Sequence, residues 1–235
     1  MRDGQVIVTG ASRGIGAGIA AELQRRGFWV AGLSRSGVCE SGYGVACDLT
    51  DEAAVKKSIA AVALHGPIIG LVNNAGLHES KPSIELSAKE FEDIMRMNAT
   101  SVLIASREAQ PHLVAANGGL IVNIGSFFEH LGVVDNLAYC ASKAAVGAMT
   151  RCLATEWAPV GIRVLDVAPG YIETDLNRDF LAREKVRQWL GKRIPIGRPG
   201  RVEEVGRLVG ALFSENIPFL TGETIFIDGG QGHNH

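Results

Sequence analysis

A short β-branched run, Val6-Ile7-Val8, passes directly into Thr9-Gly10-Ala11-Ser12-Arg13-Gly14-Ile15-Gly16, and that turn opens a stretch with helical spacing to Arg26. Few folds accept a strand, a glycine-rich turn and a helix in that order. Glycine permits positive φ and lets backbone N–H groups reach a bound anion. The helix N-terminus adds roughly half a positive charge at the same point. The combination suits a pyrophosphate. Its spacing, Gly-x-x-x-Gly-x-Gly, is not the Gly-x-Gly-x-x-Gly of the commonest dinucleotide fingerprint, and a tight turn without a ligand would also satisfy it.

The alternation continues along the chain. Strand-like runs are expected at 29–33, 43–46, 68–72, 120–124, 162–167 and 224–227, and helices at 51–64, 89–109, 139–157 and 202–213. Gly27 is placed to end the first helix and Asp51 to cap the second. Alternating strands and helices predict an α/β fold, a Rossmann-type doubly wound parallel sheet of about seven strands with helices on both faces. No linker or repeat interrupts it, so residues 1–235 are expected to form a single dinucleotide-binding and catalytic domain. The segment 171–198 carries charges and aromatics without one clean period and is the expected substrate lid.

The bulk properties exclude several classes. A net charge of −2 offers no basic footprint for nucleic acid. No apolar stretch has the length of a signal peptide or membrane span, so no membrane partner and a cytoplasmic location are expected. Cys39, Cys47, Cys140 and Cys152 form no Cys-x-x-Cys pair, and the six His, with His233 and His235 at the tail, show no ligand spacing. No metal is expected, and the cysteines read as small buried hydrophobes.

Two further motifs carry chemistry. Leu71-Val72-Asn73-Asn74-Ala75-Gly76 closes the fourth strand, where small and amide residues line a groove and tie strands together. Ser126 follows the fifth strand, Tyr139 comes thirteen residues later and Lys143 four beyond that. Residues four apart share a helix face, which puts Lys143 beside Tyr139. A free phenol titrates near ~10, too high for an efficient base at neutral pH, and a nearby ammonium favours the phenolate.

Together these motifs resemble the short-chain dehydrogenase/reductase family in its single-domain form, and the resemblance covers nearly the whole chain. It includes Asn98 within Met97-Asn98-Ala99 and Pro169-Gly170 after the sixth strand. The resemblance implies hydride transfer between a nicotinamide dinucleotide and a carbonyl or alcohol carbon of a small molecule. Tyr139 is the implied proton donor or acceptor, and Ser126 holds the substrate oxygen. Lys143 lowers the tyrosine pKa and binds the nicotinamide ribose, and Asn98 helps hold a proton-relaying water. Gly10, Ser12, Arg13, Gly14, Ile15 and Gly16 are the implied phosphate loop. Asp48, with Leu49 beside it, matches the adenine contact. Asn74, Ala75 and Gly76 match the ribose groove, and Pro169, Gly170, Ile172 and Thr174 the segment around the nicotinamide amide. Gly125 departs from the family pattern, which often has Ser before the catalytic Ser. Thr221-Gly222-Glu223 and Asp228-Gly229-Gly230 match a C-terminal pattern that goes with a homotetramer.

Cofactor choice follows from charge. NAD selection usually places Asp or Glu at the end of the second strand, to bind the ribose 2′-OH. Here Ser34 and Arg35 stand there, and the first acid afterwards is Glu40. Arg35 and Arg13 suit a 2′-phosphate, which a planar guanidinium binds bidentately. NADP is the expected cofactor, with NAD as the alternative. The expected substrate wall comprises His78, residues 127–136 and the lid; His78, Glu129 and His130 are its polar candidates and Phe127, Phe128 and Leu131 its apolar ones. The general resemblance is to 3-oxoacyl-carrier-protein reductases and to sugar or polyol dehydrogenases. The competing readings are an NAD-dependent sugar or polyol dehydrogenase, an isomerase or dehydratase on the same fold, and a non-catalytic dinucleotide sensor.

Overall fold

Every residue of the first strand is buried, with Val6 and Val8 facing one layer of helices and Ile7 the other. That two-sided burial is the signature of a parallel sheet covered on both faces. The computed structural model describes residues 4–175 and 177–233. Its strands are β1 (Gln5–Thr9), β2 (Trp29–Ser34), β3 (Tyr43–Ala46), β4 (Ile68–Asn73), β5 (Gly119–Ile124), β6 (Ile162–Pro169), β7 (Ile172–Glu173), β8 (Gly200–Arg201) and β9 (Thr224–Ile227). Its helices are α1 (Gly14–Arg25), α2 (Glu52–Ala63), α3 (Ala88–Met95), α4 (Ser101–Ala115), α5 (Leu137–Trp157), α6 (Arg178–Leu181), α7 (Glu184–Arg193) and α8 (Val202–Ser214).

Seven strands form one parallel sheet in the order β3-β2-β1-β4-β5-β6-β9. Ile19 and Leu23 of α1 pack with Val205 and Val209 of α8 on one face. Val55 and Ile59 of α2, Leu113 of α4 and Leu153 and Trp157 of α5 pack on the other. Full burial of one such aliphatic side chain contributes roughly 1.5–3 kcal/mol. The chain winds outward from β1 to β3, then returns to lay β4 on the opposite side of β1. The reversal opens a crevice at the carboxyl ends of β1 and β4, where ligands bind in open α/β sheets.

Local chemistry sets the element ends. The Asp51 carboxylate accepts from the N–H of Ala53 at 2.9 Å and of Ala54 at 3.2 Å, and caps α2 as expected. Gly27 takes φ +86° just past α1. Ser87 and Glu90 form a reciprocal capping box at the start of α3.

Three sequence expectations need correction. The helix expected at 89–109 is α3 and α4 joined by a π-helical turn, Arg96–Thr100. The extra residue of a π-turn rotates the helix face locally, which apolar spacing does not announce. The helix also runs past Pro111 to Ala115, although helices usually end before a proline. The segment 171–198 holds α6 and α7 around a small core of Leu181, Leu190 and Ile194. Its ends are clasped by β7 and β8, paired in the register Ile172↔Gly200 and Glu173↔Arg201. Strands of two residues carry no readable period. Of the cysteines, Cys47 is buried, Cys39 and Cys140 are half-buried, and Cys152 is exposed.

Among the described residues no helix is long and apolar enough to cross a membrane, and no three His, Cys, Asp or Glu side chains gather as a metal site. His235 lies outside the described residues.

Candidate active site

The crevice at the strand ends is a cleft of about 710 Å³. Gly10, Ser12, Arg13, Gly14, Ile15, Arg35, Leu49, Asn74, Ala75, Gly76 and Thr174 line it, with Ser34, Ser36, Val38, Cys47 and Met97. Gly10 at φ +67° and Gly14 at φ +56° occupy the left-handed region that favours glycine. A Cβ on Gly16 would stand 2.3 Å from the Gly10 carbonyl oxygen and 2.4 Å from Asn74 Nδ2. The loop therefore packs directly against the end of β4, with no room for a side chain at Gly16. This cradle fits a dinucleotide pyrophosphate. Thr9 fastens it: its hydroxyl donates to Val72 O at 3.3 Å and accepts from the N–H of Asn74 at 3.0 Å and of Ala75 at 3.1 Å. Asn74 Nδ2 donates to Thr9 O at 3.0 Å.

Beneath the cleft, Asn73 Nδ2 donates to Asn123 Oδ1 at 2.8 Å and to Ser106 Oγ at 3.0 Å, and Asn123 Nδ2 donates to Thr150 Oγ1 at 2.8 Å. This fully buried chain ties β4 and β5 to α4 and α5, so the motif Asn serves the scaffold. Asp48 is exposed between two lining residues, Cys47 and Leu49. Hydrogen bonds from Thr50, first from its N–H and then from its hydroxyl, hold the Asp48 carboxyl below the usual carboxylate range, with help from Arg35 and Arg96. At the other end, Gly170 N donates to Ile227 O at 3.0 Å after β6 ends at Pro169. Ile172 is buried in the β7–β8 clasp. Thr174 Cγ2 lies 3.7 Å from where a Cβ on Gly14 would stand.

Of the four expected catalytic residues, Asn98 and Lys143 meet beside Gly76, Tyr139 lies next to Lys143, and Ser126 is linked to Tyr139 through Phe128. Lys143 is buried on α5; its Nζ donates to Ile124 O at 2.7 Å and lies 5.7 Å from the centre of the Tyr139 ring. Asn98 is presented by the π-turn and is fully buried. Its Oδ1 accepts from Leu77 N at 2.8 Å, and its Nδ2 donates to Leu77 O at 2.9 Å and Ser142 Oγ at 3.0 Å. One acceptor site on Oδ1 is left for a further donor. A Cβ on Gly76 would stand 3.2 Å from that oxygen and 3.9 Å from Lys143 Nζ. Ser126 caps a 3-10 turn, Phe127–His130, and its Oγ accepts from Phe128 N at 3.2 Å. The Phe128 ring meets Tyr139 edge-on at 5.8 Å, so the turn that starts at Ser126 lies against the phenol.

The wall beyond Tyr139 is aromatic. His78 meets the Tyr139 ring edge-on at 4.7 Å, and its Nε2 lies 2.6 Å from Asn136 Oδ1. Tyr171 joins Phe127 at 5.4 Å and Trp189 at 5.7 Å. Two polar candidates leave this wall. Glu129 turns under the sheet with its side chain only 1% exposed, and exposed His130 packs on Phe226 at 5.3 Å. Ser142 joins the site without a sequence signal, through its bond to Asn98, while Asn136 and Trp189 fall within the expected wall segments 127–136 and 171–198. A second cavity, of about 460 Å³, lies at the opposite end of the strands, where Phe28, Ile69, Phe213 and Pro218 are among its lining residues and Arg163 is the single charge. None of the expected site residues reaches it.

A family model described as enoyl-(acyl carrier protein) reductase matches residues 10–231. Gluconate 5-dehydrogenase of Gluconobacter oxydans is 36% identical over 242 residues, covering 96% of this chain and 93% of that protein. The 3-oxoacyl-[acyl-carrier-protein] reductase MabA of Mycobacterium tuberculosis is 36% identical over 98% of this chain and 93% of its own length. Among solved structures, a gluconate 5-dehydrogenase of Burkholderia cenocepacia in complex with NADP and tartrate superposes with a TM-score of 0.91 at 30% identity, over 99% of this chain and 96% of that one. Aldohexose dehydrogenase of Thermoplasma acidophilum gives a TM-score of 0.91 at 32% identity over 100% of this chain and 96% of that one. With the glycine loop, the Asn-Asn-Ala-Gly turn and the Ser126–Tyr139–Lys143 set on one parallel sheet, the chain belongs to the short-chain dehydrogenase/reductase family and is an oxidoreductase.

Proposed function

We propose that this oxidoreductase interconverts a carbonyl and a secondary alcohol of a small molecule, using NADP(H) and Tyr139 as the proton-transfer residue. The observation that carries the reading is the Tyr139 ring beside buried Lys143, whose Nζ lies close to Gly76, one of the glycines lining the cleft. A bound nicotinamide dinucleotide supplies or accepts the hydride. The loop from Gly10 to Gly16 holds the pyrophosphate with backbone N–H groups at the head of α1. Ser126 holds the substrate oxygen, and Tyr139 gives it a proton in reduction or takes one in oxidation. Lys143 binds the nicotinamide ribose and keeps a positive charge near the phenol. Asn98 offers its remaining acceptor site to a water that carries protons away.

Three observations support NADP. Arg13 and Arg35 both line the cleft, β2 ends at Ser34 without an acid, and a related gluconate 5-dehydrogenase was solved with NADP. We read 171–198 as a substrate lid within one domain, because its two ends are clasped and its Tyr171 and Trp189 extend the aromatic wall. A cytoplasmic homotetramer is the proposed working form. Ile217, Phe219 and Phe226 are exposed beside β9, the edge strand, and Leu103 and Val114 are exposed on α4. Closed symmetry would cover both patches. Light scattering should report four chains, and a particle of one 24.9 kDa chain would refute it.

The functional test is absorbance of NADPH with a panel of ketones, aldoses and acyl thioesters. An oxidoreductase of this kind consumes cofactor in step with alcohol formed. An isomerase converts substrate without net consumption, and a sensor binds cofactor and does nothing more.

A further inference from the structure

β6 carries a carboxyl where both flanking residues are core aliphatics. Asp166 sits between Leu165 and Val167, all three fully buried, and its Oδ1 has no hydrogen-bond donor from the protein. The Glu129 carboxyl lies on the turn that begins at Ser126; neither of its oxygens, both buried, finds a donor. The Asp166 oxygens abut Gly125, just before the Ser126 turn, and Glu129 on that turn is the neighbour that acts on Asp166 through a hydrogen bond and through charge. Ionised carboxylates only accept, so the contact needs a proton on one of them. Leaving both charges bare and buried would be costly.

The surrounding backbone is cut to fit this pair. A Cβ on Gly125 would stand 2.6 Å from each Asp166 oxygen, which explains why Ser is absent before Ser126. On α5, a Cβ on Gly147 would stand 3.3 Å from Glu129 Oε1. The other groups that face the pair are few. From α5 comes the Lys143 charge, which acts on Asp166. From the turn comes the His130 imidazole, 3.1 Å from Glu129 Oε1 but not aligned as a hydrogen bond. Past the end of β5 the Gly125 N–H lies close to Asp166 but donates to Val167 O at 2.9 Å, and from β9 the Thr224 hydroxyl donates to Asp166 Oδ2 at 3.4 Å.

We propose that Asp166 and Glu129 are positioning residues that share one proton, and that this proton holds the Ser126 turn and Lys143 in working geometry; the proposal rests on the acid–base reading of Ser126, Tyr139 and Lys143. With the proton in place, the pair carries one negative charge against the one positive charge of Lys143. Without it, two like charges push the Ser126 turn away from β6. The doubled negative charge also draws Lys143 from Ile124 O and from the phenol.

The sign of the pH dependence follows. Burial, then the hydrogen bond and charge of Glu129, push the Asp166 carboxyl from 3.8 up to about 8. Between those values the folded chain keeps a proton that the unfolded chain has lost. Stability therefore falls as pH rises through that window, and above it the Asp166 proton is lost.

The test compares wild type with Asp166→Asn and Glu129→Gln, following Tm, kcat and the cofactor KM from about pH 5 to about pH 9. In the wild type Tm declines across the range, while at the alkaline end kcat drops severalfold and the cofactor KM rises with it, because Lys143 also holds the ribose. Asp166→Asn donates to Glu129 without a titrating proton, so both trends should flatten, the kcat drop to less than about twofold. Glu129→Gln should do the same from the other side, and it serves if Asp166→Asn does not fold. A flat wild-type Tm would overturn the shared proton whatever the enzyme turns over. A Tm trend removed by Asp166→Asn beside an unchanged alkaline drop in kcat would overturn the positioning role. Absence of turnover with every carbonyl would overturn the functional reading beneath it.

Discussion

The glycine loop and the 171–198 segment border the same cleft and are held by different means. The loop is fixed by main-chain bonds, by Thr9 and Asn74, and by glycines whose missing side chains let backbone touch backbone. The lid hangs on a clasp of two residue pairs, a core of Leu181, Leu190 and Ile194, and ring edges at Tyr171 and Trp189. Phe180 and Trp189 remain exposed. Cofactor chemistry thus rests on contacts that few side chains could replace. On the proposed reading of 171–198 as a lid, substrate choice would rest on side chains of a segment secured at its ends, and binding residues concentrate on such segments.

The contrast should show in mutation, beginning with the loop. Gly16→Ala drives a Cβ into the Gly10 carbonyl, so dinucleotide binding should fall below detection by calorimetry. Overpacking of that kind also costs roughly 1–3 kcal/mol of stability. Unchanged cofactor affinity would mean that the loop is slack and the contrast false. Next comes Arg35→Ala, which should raise the NADPH KM by roughly 10- to 150-fold, the worth of a charged hydrogen bond, and leave the NADH KM nearly alone. Equal effects on both cofactors would withdraw the NADP reading and leave the rest.

On the lid the effects should be smaller and differently placed. Trp189→Ala removes one ring edge, and such contacts are worth ~0.5–1.5 kcal/mol, so the carbonyl substrate KM should rise roughly 2- to 10-fold. Cofactor KM should not move; if it does, the lid also orders the cofactor end. Phe180→Ala, on an exposed surface, should change stability by no more than about 0.5 kcal/mol in a denaturant titration. The same truncation at Leu23 in the α1 core should cost ~2–5 kcal/mol.

How far the sequence could be read follows the same division. The seven strands of the sheet were legible because each is a short apolar or β-branched run bounded by a turn or a cap, although β3 and β9, at the two edges, are only partly buried. The motif residues were legible because glycine, Asn and the Tyr-x-x-x-Lys spacing act through local geometry. Asn98 was legible as a motif, but not the π-turn that aims it, since one inserted residue leaves no mark in apolar spacing. Glu129 read as a substrate contact because the sequence does not say that Asp166 waits beneath it. Gly125 looked like an idle departure until the Asp166 oxygens filled the space a Cβ would need. Ser142 enters the site through its bond to Asn98, a pairing far apart in the chain that no window of sequence contains.

The most direct test of the account is Tyr139→Phe, with turnover and cofactor dissociation constant measured on one preparation. Removing the hydroxyl leaves the ring contacts with Phe128 and His78 in place. General acid–base catalysis contributes ~10²–10⁴-fold, so turnover should fall by at least about a hundredfold while cofactor affinity stays within about twofold of wild type. A variant that binds cofactor normally and keeps more than about a tenth of wild-type turnover would contradict the assignment of Tyr139 as the proton-transfer residue.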